Sequence, residues 1–248
     1  MLVVLREAWT TLVPDMKDRH GPLPPLMLSL TVVTGLVDAF SFLALGHVFV
    51  ANMTGNVVLS GFALAGAPEF SPAASLTALG AFVLGALLGG RIAHRAHADR
   101  GRLLYLALVS QTGLVLAAYV IAQACGAPFA GGPRYWLIVV LALGMGIQNA
   151  AARALKVPDL MTTVLNFTIT GMAADSRAAG GSGSKAGSRL LSTVAMLTGA
   201  LCGAIAILHG HPAMPLLFAA LVLAITTAAT FALTRTAGSW TAPLPDRP

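Results

Sequence analysis

Asp38 is the residue whose type and position most clearly suggest chemistry. It is the one carboxylate inside any of the long apolar runs, near the middle of the stretch 26–46. A charged side chain at the centre of a bilayer costs about 2.5–3.5 kcal/mol even on the more permissive insertion scale. Two interpretations account for it: a proton, cation or solute-anchoring site, or a buried carboxylate that hydrogen-bonds Thr34 or Ser41 and fixes helix packing.

A second group of polar side chains follows in the motif 52–56. Its members Asn52, Thr54 and Asn56 can form a turn and a helix N-cap, which is the purely structural interpretation. A helix that begins inside the membrane also leaves backbone N–H groups unpaired, and these attract anionic or zwitterionic groups. We therefore include all three residues among the candidate solute- or ion-binding residues.

The second half of the chain carries a matching set of polar side chains, namely Thr162, Thr163 and Asn166. Asn149 occupies the position that corresponds to Asp38. Gln148, beside it, could line the same cavity or simply bridge helices. An Asp and an Asn at equivalent positions could make similar hydrogen bonds, but only the half of the protein with Asp would carry a negative charge.

Signals for catalysis are weak. The segment 181–185 shares residue types with a phosphate-binding loop, yet it lacks the required spacing and a preceding strand. The sequence has no HExxH motif, no pair of carboxylates in its apolar runs and no metal-ligand spacing around Cys125 or Cys202. We expect no enzymatic activity, no catalytic residues, no metal and no cofactor.

The elements that must position these residues are membrane-spanning helices. Of 248 residues, 56% are hydrophobic and 10% are charged, and the mean hydropathy is +0.81. This composition predicts an all-α polytopic membrane protein. The net charge of +6 is explained by basic cytoplasmic loops, so we expect no nucleic-acid partner.

Apolar runs of spanning length predict six transmembrane helices. They lie at about 26–46, 73–92, 103–123, 136–154, 190–209 and 214–234. Two shorter segments, about 52–67 and 160–174, are interrupted by Asn, Thr and Gly. Each either spans the membrane or enters and leaves on one side.

The distribution of basic residues favours re-entrant short segments. With a cytoplasmic N-terminus and two re-entrant segments, fourteen of the fifteen Lys and Arg fall inside and Arg134 alone falls outside. If both segments span fully, the count becomes nine inside and six outside. Cytoplasmic loops are enriched in Lys and Arg, so the first arrangement is preferred.

The two halves of the membrane domain, 26–123 and 136–234, resemble each other. At an offset of 111, Gly35, Asp38 and Ala39 align with Gly146, Asn149 and Ala150. Three spans in each half make the second copy inverted, an architecture typical of secondary transporters with sites near the midplane. We expect a single membrane domain over 26–234, between cytoplasmic segments 1–25 and 235–248.

The motif 35–46, continuing through Asn52-Met53-Thr54-Gly55-Asn56, resembles the signature of the YoaK-type family. The second-half segment 157–163 with Ala174-Asp175-Ser176 is similar to the actinobacterial branch of that family. The resemblance covers about residues 25–235. It implies a bacterial plasma-membrane protein of a family with no assigned reaction, and it names no substrate.

These observations predict a small secondary transporter of a polar solute coupled through Asp38, with both termini cytoplasmic. The two helix N-termini favour an anionic or zwitterionic solute. A channel-like pore and a non-transporting scaffold or regulatory protein remain the alternatives. The expected partners are the lipid bilayer and a small solute or ion. Small-xxx-small pairs at 85–89 and 199–203 leave open whether the halves or two protomers of a homo-oligomer pack there.

Overall fold

The computed structural model describes residues 2–13, 15, 18–157, 170, 180, 186–235 and 239–243. The helices in this part of the chain are α1 (Leu2–Leu12), α2 (Leu23–Ala44), α3 (Met53–Leu64), α4 (Pro72–Arg95), α5 (Arg100–Cys125), α6 (Gly131–Leu155), α7 (Ala186–Leu208) and α8 (Met214–Thr234). A short 3₁₀ helix, Ser239–Thr241, follows α8.

The six predicted transmembrane helices are confirmed. The helices α2, α4, α5, α6, α7 and α8 are each long and apolar enough to cross a membrane. The first short segment forms α3, which is apolar but too short to be a candidate span. The second short segment, 160–174, lies outside the described residues except for residue 170, and Thr162, Thr163 and Asn166 lie outside them with it.

Local sequence sets where the helices begin. Pro24 and Pro25 stand in the first turn of α2, where a missing backbone N–H costs nothing. Ser71 caps α4 by accepting a hydrogen bond from the Ala74 amide at 3.2 Å, and Asp99 caps α5 in the same way. The short connections 96–99, 126–130 and 209–213 make the helices that they join antiparallel neighbours.

The contacts of two arginines give the relative direction of α2 and α6. Arg100 Nη1 donates to the carbonyl of Arg19, just before α2, and Nη2 donates to the carbonyl of Leu155, at the end of α6. At the opposite end, Arg134 Nη2 donates to the carbonyl of Gly46, just after α2. The helices α2 and α6 therefore run in opposite directions. We call the two ends of the bundle the Arg100 end and the Arg134 end.

Glycines bring two pairs of helices into backbone contact. Gly35 of α2 lies against the Met196 carbonyl of α7, and Gly146 of α6 lies against the Phe82 carbonyl of α4. A Cβ at either glycine would collide with backbone that cannot move independently of its helix. The small-xxx-small pairs 85–89 and 199–203 lie in these same two crossings. They therefore join helices of the first half to helices of the second half within one chain.

The two terminal segments pack on the Arg100 end of the bundle. Glu7 of α1 accepts a hydrogen bond from the Gly187 amide at 3.0 Å, at the start of α7. Trp240 of the 3₁₀ helix is fully buried against Gly21 and Gly101. Both segments thus cover the side of the bundle where α2, α5 and α7 begin.

Candidate functional site

The carboxylate of Asp38 joins the first long helix to the chain just before α3. Its Oδ1 accepts hydrogen bonds from the backbone N–H of Val50 at 3.1 Å and of Ala51 at 2.9 Å. The side chain is 5% exposed, so the carboxylate faces the protein interior. Asp38 therefore fixes the non-helical segment that leads into α3.

The position of Asp38 along α2 differs from the expectation that it lies near the middle of the span. The helix extends from Leu23 to Ala44, so Asp38 lies six residues, about 9 Å, from its C-terminal end at 1.5 Å per residue. The carboxylate is thus closer to the Arg134 end. The segment 47–52 and the start of α3 lie at a similar depth, because Val50 and Ala51 touch Asp38 directly.

The partners expected from sequence under the structural interpretation of Asp38 are wrong. Thr34 Oγ1 donates to the Leu30 carbonyl, and Ser41 Oγ donates to the backbone carbonyl of Asp38. Both hydroxyls therefore bond the α2 backbone one turn earlier, as Ser and Thr commonly do inside helices. The carboxylate instead bonds amides that lie far along the chain, which helix periodicity alone does not indicate.

The second oxygen of Asp38 has no such partner. Oδ2 is buried and makes no hydrogen bond to any described residue. A buried polar atom without a partner costs free energy, and it is rare in folded proteins. The arrangement leaves one acceptor oxygen available for a hydrogen-bond donor or a cation.

Asn56 braces the segment that leads into α3. Its Oδ1 accepts from the Phe49 amide at 2.9 Å, and its Nδ2 donates to the Phe49 carbonyl at 2.6 Å. The residue is fully buried, and both ends of its amide are used in this pairing. Asn56 therefore holds Phe49 as a neighbouring strand would, and its role in the structure is to position the segment.

Asn52 and Thr54 differ in their surroundings. Asn52 is the N-cap of α3, and its side chain accepts from the Gly55 amide at 3.5 Å, as predicted for one of these two residues. Thr54 lies in the first turn of α3 and is exposed on the surface of the chain. Asn52 thus belongs to the start of the helix beside Asp38, whereas the Thr54 side chain faces outward.

A buried hydrogen-bonded network crosses three helices one turn from Asp38. Gln111 of α5 donates through Nε2 to Gln148 Oε1 of α6, and Gln148 Nε2 donates to Thr34 Oγ1 of α2 at 3.0 Å. Each of the three side chains is no more than 2% exposed. Gln148 therefore bridges helices, which was one of its two predicted roles.

Gln111 was not predicted to be a site residue. The available signal was an amide in the interior of a predicted span, since polar side chains within membranes are often interhelical contacts. Gln111 also lies 3.6 Å from Met145 Sδ through its Nε2. Arg100 was missed as well, because its position in a basic loop made it look like any other cytoplasmic arginine.

Asn149 does not share the burial of Asp38. Its Nδ2 donates to the Met145 carbonyl at 3.0 Å within its own helix, and its side chain is partly buried. The described contacts bring together Asp38, Asn52 and Asn56 around the segment 47–52. Gln148 joins them through Thr34, which lies one turn from Asp38 on α2.

Aromatic side chains cover this segment at the Arg134 end. Phe42 stacks on Phe49 with ring centroids 4.8 Å apart, and His47 packs edge-on against Phe42 and Phe70. His47 Nδ1 also lies 3.4 Å from the carbonyl of Glu69. The chain that leaves α2 at residue 47 is therefore in contact with the chain that enters α4 after residue 69.

Metal binding of the usual multidentate kind has no support in the described residues. Groups of three or more His, Cys, Asp or Glu side chains that could hold a metal ion do not occur among them. Cys125 and Cys202 are both exposed and unpaired. Asp38 is the one carboxylate in the described spans, so the site offers a single negative charge.

Comparison with known proteins places the chain in a family. Residues 26–229 match the family model described as "Protein of unknown function (DUF1275)". The chain is 36% identical over 152 residues to the UPF0700 transmembrane protein YoaK of Bacillus subtilis (strain 168), a match that covers 60% of this chain and 65% of the relative, slightly less than two thirds of its length. No solved structure matches the chain. The site around Asp38 lies within the matched range, and the chain belongs to the DUF1275 family of multi-pass membrane proteins, as the resemblance to YoaK-type proteins predicted.

Proposed function

We propose that this protein is a small secondary transporter that moves a small polar solute across the membrane and is coupled through Asp38. One observation carries the proposal. Asp38 is a buried carboxylate in the first span, it holds the entry to a short helix, and it keeps one oxygen without a partner among the described residues. An ionisable residue inside a membrane domain marks an ion or substrate pathway by default.

The short helix α3 is re-entrant in this proposal. His47 and Glu69 flank the segment, and they are in contact at the Arg134 end. Between them the chain reaches the depth of Asp38, where α3 begins with its cap Asn52. Interrupted helices of this kind build the binding sites of many transporters, because their free ends can contact a solute.

An inverted repeat is supported by the direction and contacts of the long helices. The helices α2 and α6 occupy corresponding places in the two halves, and they are antiparallel. Gly35 meets Met196 and Ala200, and Gly146 meets Phe82 and Ala86. Gly35 and Gly146, in the first helices of the two halves, are 111 residues apart in the sequence. Their partners in the second helices are 114 residues apart, both Met196 from Phe82 and Ala200 from Ala86, so each contact has its counterpart.

The third helices of the two halves meet each other in the same scheme. Thr112 of α5 and Thr227 of α8 are hydrogen-bonded through their hydroxyls at 3.2 Å. If these two threonines occupy equivalent positions in the two halves, a pseudo-twofold axis in the membrane plane would pass between them. The two halves would then interlock through several interfaces, two of which are equivalent glycine crossings.

The charge distribution supports a cytoplasmic Arg100 end. Every described Lys and Arg other than Arg134 lies near that end, at the starts of α2, α5 and α7, the ends of α4, α6 and α8, or in α1. The positive-inside rule then places both termini in the cytoplasm and the entry to α3 on the outer side of a bacterial plasma membrane. A solute would reach Asp38 from outside past the aromatic side chains around His47.

The roles of the site residues follow from their contacts. Asp38 binds the coupling ion or a donor group of the solute. Asn52 and Asn56 shape the entry to α3, Gln148 fixes α2 against α6, and Asn149 takes the position of Asp38 in the second half. Thr162, Thr163 and Asn166 are proposed to contribute polar groups along the path, whereas Thr54, whose side chain faces outward, is left out of it.

Uptake by proteoliposomes tests the proposal. A thermal-shift screen of the purified protein against small metabolites and ions identifies candidate solutes, because a ligand that binds the folded state raises Tm. Radiolabelled candidates are then assayed for saturable uptake in parent and Asp38→Asn vesicles. We expect Asp38→Asn to fold normally, because Asn Oδ1 can accept the same amides, and to abolish coupled uptake.

Two outcomes of this assay would favour other functions. Flux that neither saturates nor depends on a coupling gradient would indicate a channel-like pore. Normal behaviour of Asp38→Asn in every assay, together with instability of Asp38→Leu, would indicate a scaffold or regulatory protein in which Asp38 only fastens the segment 47–52. One specific contact favours the scaffold or regulatory interpretation, namely the two backbone amides that donate hydrogen bonds to Asp38 Oδ1.

A further inference from the structure

The backbone amides before α3 are already occupied by a carboxylate of this chain. Val50 and Ala51 donate to Asp38 Oδ1, and the amide of Gly55 donates to Asn52. A helix N-terminus attracts anions through such N–H groups. The amides of Val50 and Ala51 are therefore already used by Asp38, and an incoming anion would meet the negative charge of this side chain beside them.

The one atom at the site that still lacks a described partner is an acceptor, so it would bind a donor or a cation and not an anion. Asp38 Oδ2 is an acceptor, it is buried, and it has no partner among the described residues. A protonated Oδ2 would become a donor that also lacks a described acceptor. A cation brings its own N–H groups or coordinated water, and it neutralises the carboxylate while leaving both bonds of Oδ1 intact.

The number of negative charges at the site determines how much positive charge a bound ligand should carry. Divalent ions such as Ca²⁺ are held by six to eight oxygens, several of them from carboxylates. Among the described residues, Asp38 is the one acidic side chain inside a span, and no cluster of three metal-ligating side chains occurs. A single buried negative charge is matched by a single positive charge.

We propose that the group bound at Asp38 is a monovalent cation, either an alkali-metal ion or the protonated amine of a solute, and that it is bound through Oδ2. This inference rests on the proposed transport function, and it replaces the anionic solute that the helix N-termini favoured. Asp38 then both anchors the entry to α3 and receives the ligand, so binding and the position of α3 are linked through one side chain.

The test uses the purified full-length protein in detergent, in a buffer whose only cation is the bulky N-methylglucamine. Lithium, sodium, potassium and methylammonium chloride are added separately at constant ionic strength. Acetate and phosphate are added as N-methylglucamine salts to test anions. We expect at least one monovalent cation to raise Tm by a few degrees with saturation, and the anions to have no effect beyond ionic strength.

Matched variants assign the effect to Asp38. Asp38→Asn should lose the cation-dependent rise in Tm. Asp99→Asn makes the same chemical change at the exposed cap of α5, where Asn also caps well, and should retain it. A cation effect that survives in Asp38→Asn, an anion effect that Asp38→Asn removes, or the absence of any monovalent-cation effect would overturn the inference.

A second measurement keeps the test independent of the folding of the variant. A hydrophobic carbodiimide modifies buried carboxyl groups, and mass spectrometry of the Asp38 peptide of the parent protein quantifies the product. We expect the effective cation to slow modification at least several-fold, whereas unchanged modification at saturating cation would contradict binding at this side chain. Methylammonium protection without alkali-metal protection would identify the amine source.

The two proposals fail in different ways. Saturable, Asp38-dependent uptake without any cation effect would overturn the cation assignment and leave transport standing. Cation binding at Asp38 without saturable flux of any solute would overturn transport and leave the cation site standing. Uptake and cation dependence measured on the same vesicles therefore separate the two.

Discussion

The Oδ1 atom of Asp38 lies 2.9 Å from the backbone nitrogen of Ala51, thirteen residues further along the chain. A carboxylate in the first span thereby replaces the hydrogen bonds that water would give to a non-helical segment. Backbone without internal partners is tolerated inside a membrane only where protein or a water-filled cavity satisfies it. The stability of the segment 47–52 and its proposed function depend on this one side chain.

We expect Asp38→Leu to destabilise the protein by roughly 2–6 kcal/mol, because it leaves two buried amides without an acceptor at about 1–3 kcal/mol each. Asp38→Asn keeps an acceptor oxygen and serves as the matched control, with stability close to that of the parent. Free energies of unfolding from denaturant titration in mixed micelles measure both. Equal stability of the Leu and Asn variants would show that the amides find other partners.

Gly35→Ala and Gly146→Ala should each destabilise the protein by about 1–3 kcal/mol or more, because the added Cβ overpacks a backbone contact between two helices. The nearest amide nitrogens, of Ala200 and Ala86 respectively, would lie 2.7 Å from that Cβ. Gly80→Ala in α4 is the control, since a Cβ there meets nothing within 4 Å. Thermal unfolding in detergent ranks the three. Similar costs at positions 35 and 146 are expected under the inverted repeat, and a large cost at one position alone would argue against it.

Gln111 and Gln148 should show a favourable coupling energy of about 0.5–2 kcal/mol in a double-mutant cycle with alanine, the range found for interhelical hydrogen bonds in membranes. Unfolding free energies of the two single variants and the double variant supply the cycle. Gln123 lies in the same helix but is exposed and bonds Tyr119, so the pair Gln123 and Gln148 should be additive. A coupling energy of zero between Gln111 and Gln148 would show that their hydrogen bond does not help to hold α5, α6 and α2 together.

Arg100→Met should lower the unfolding free energy by about 3–6 kcal/mol, because two charge-assisted hydrogen bonds from a buried guanidinium to backbone carbonyls, at about 1.5–3 kcal/mol each, are lost. Arg100→Lys should recover part of that loss, since an ammonium cannot reach both carbonyls with a planar fork. Arg102→Met, two positions further in the same turn but exposed, is expected to change stability little. If Arg102→Met costs as much as Arg100→Met, general loss of basic charge is the cause.

Membrane-impermeant thiol labelling tests whether α3 is re-entrant. In a background without Cys125 and Cys202, His47→Cys and Glu69→Cys should be labelled from the same side, because these residues flank α3 and lie together at the Arg134 end. His94→Cys, at the exposed end of α4, should be labelled from the other side. Labelling of His47→Cys and His94→Cys from the same side, with Glu69→Cys labelled from the opposite side, would mean that α3 crosses the membrane.

Helix number and extent are readable from the sequence because burial in lipid requires about twenty consecutive apolar residues with internally satisfied backbone. The predicted spans 73–92 and 214–234 correspond closely to Pro72–Arg95 and Met214–Thr234. The cap of α3 was also predictable, because Asn is a strong N-cap residue wherever it precedes a helix. These are local properties, and each follows from residues within a few positions of one another.

The partners of the polar side chains were not readable in this way. Thr34 and Ser41 are neighbours of Asp38 on α2, yet the carboxylate bonds Val50 and Ala51 instead. Gln148 finds Gln111, and Arg100 finds the carbonyl of Leu155, across separations that no periodicity encodes. A polar group in a span needs a hydrogen-bond partner, but the sequence does not show which of several possible partners it contacts.

Composition and hydropathy were enough to predict a membrane protein of six long helices, a carboxylate inside the first of them and a polar motif in the region after it. The packing of the helices was needed to show that this carboxylate fastens the segment before α3 through one oxygen and leaves the other without a described partner. The physical reason is that hydropathy is a sum over neighbouring residues, whereas a buried hydrogen bond depends on which distant groups the packing of the helices brings within 3 Å.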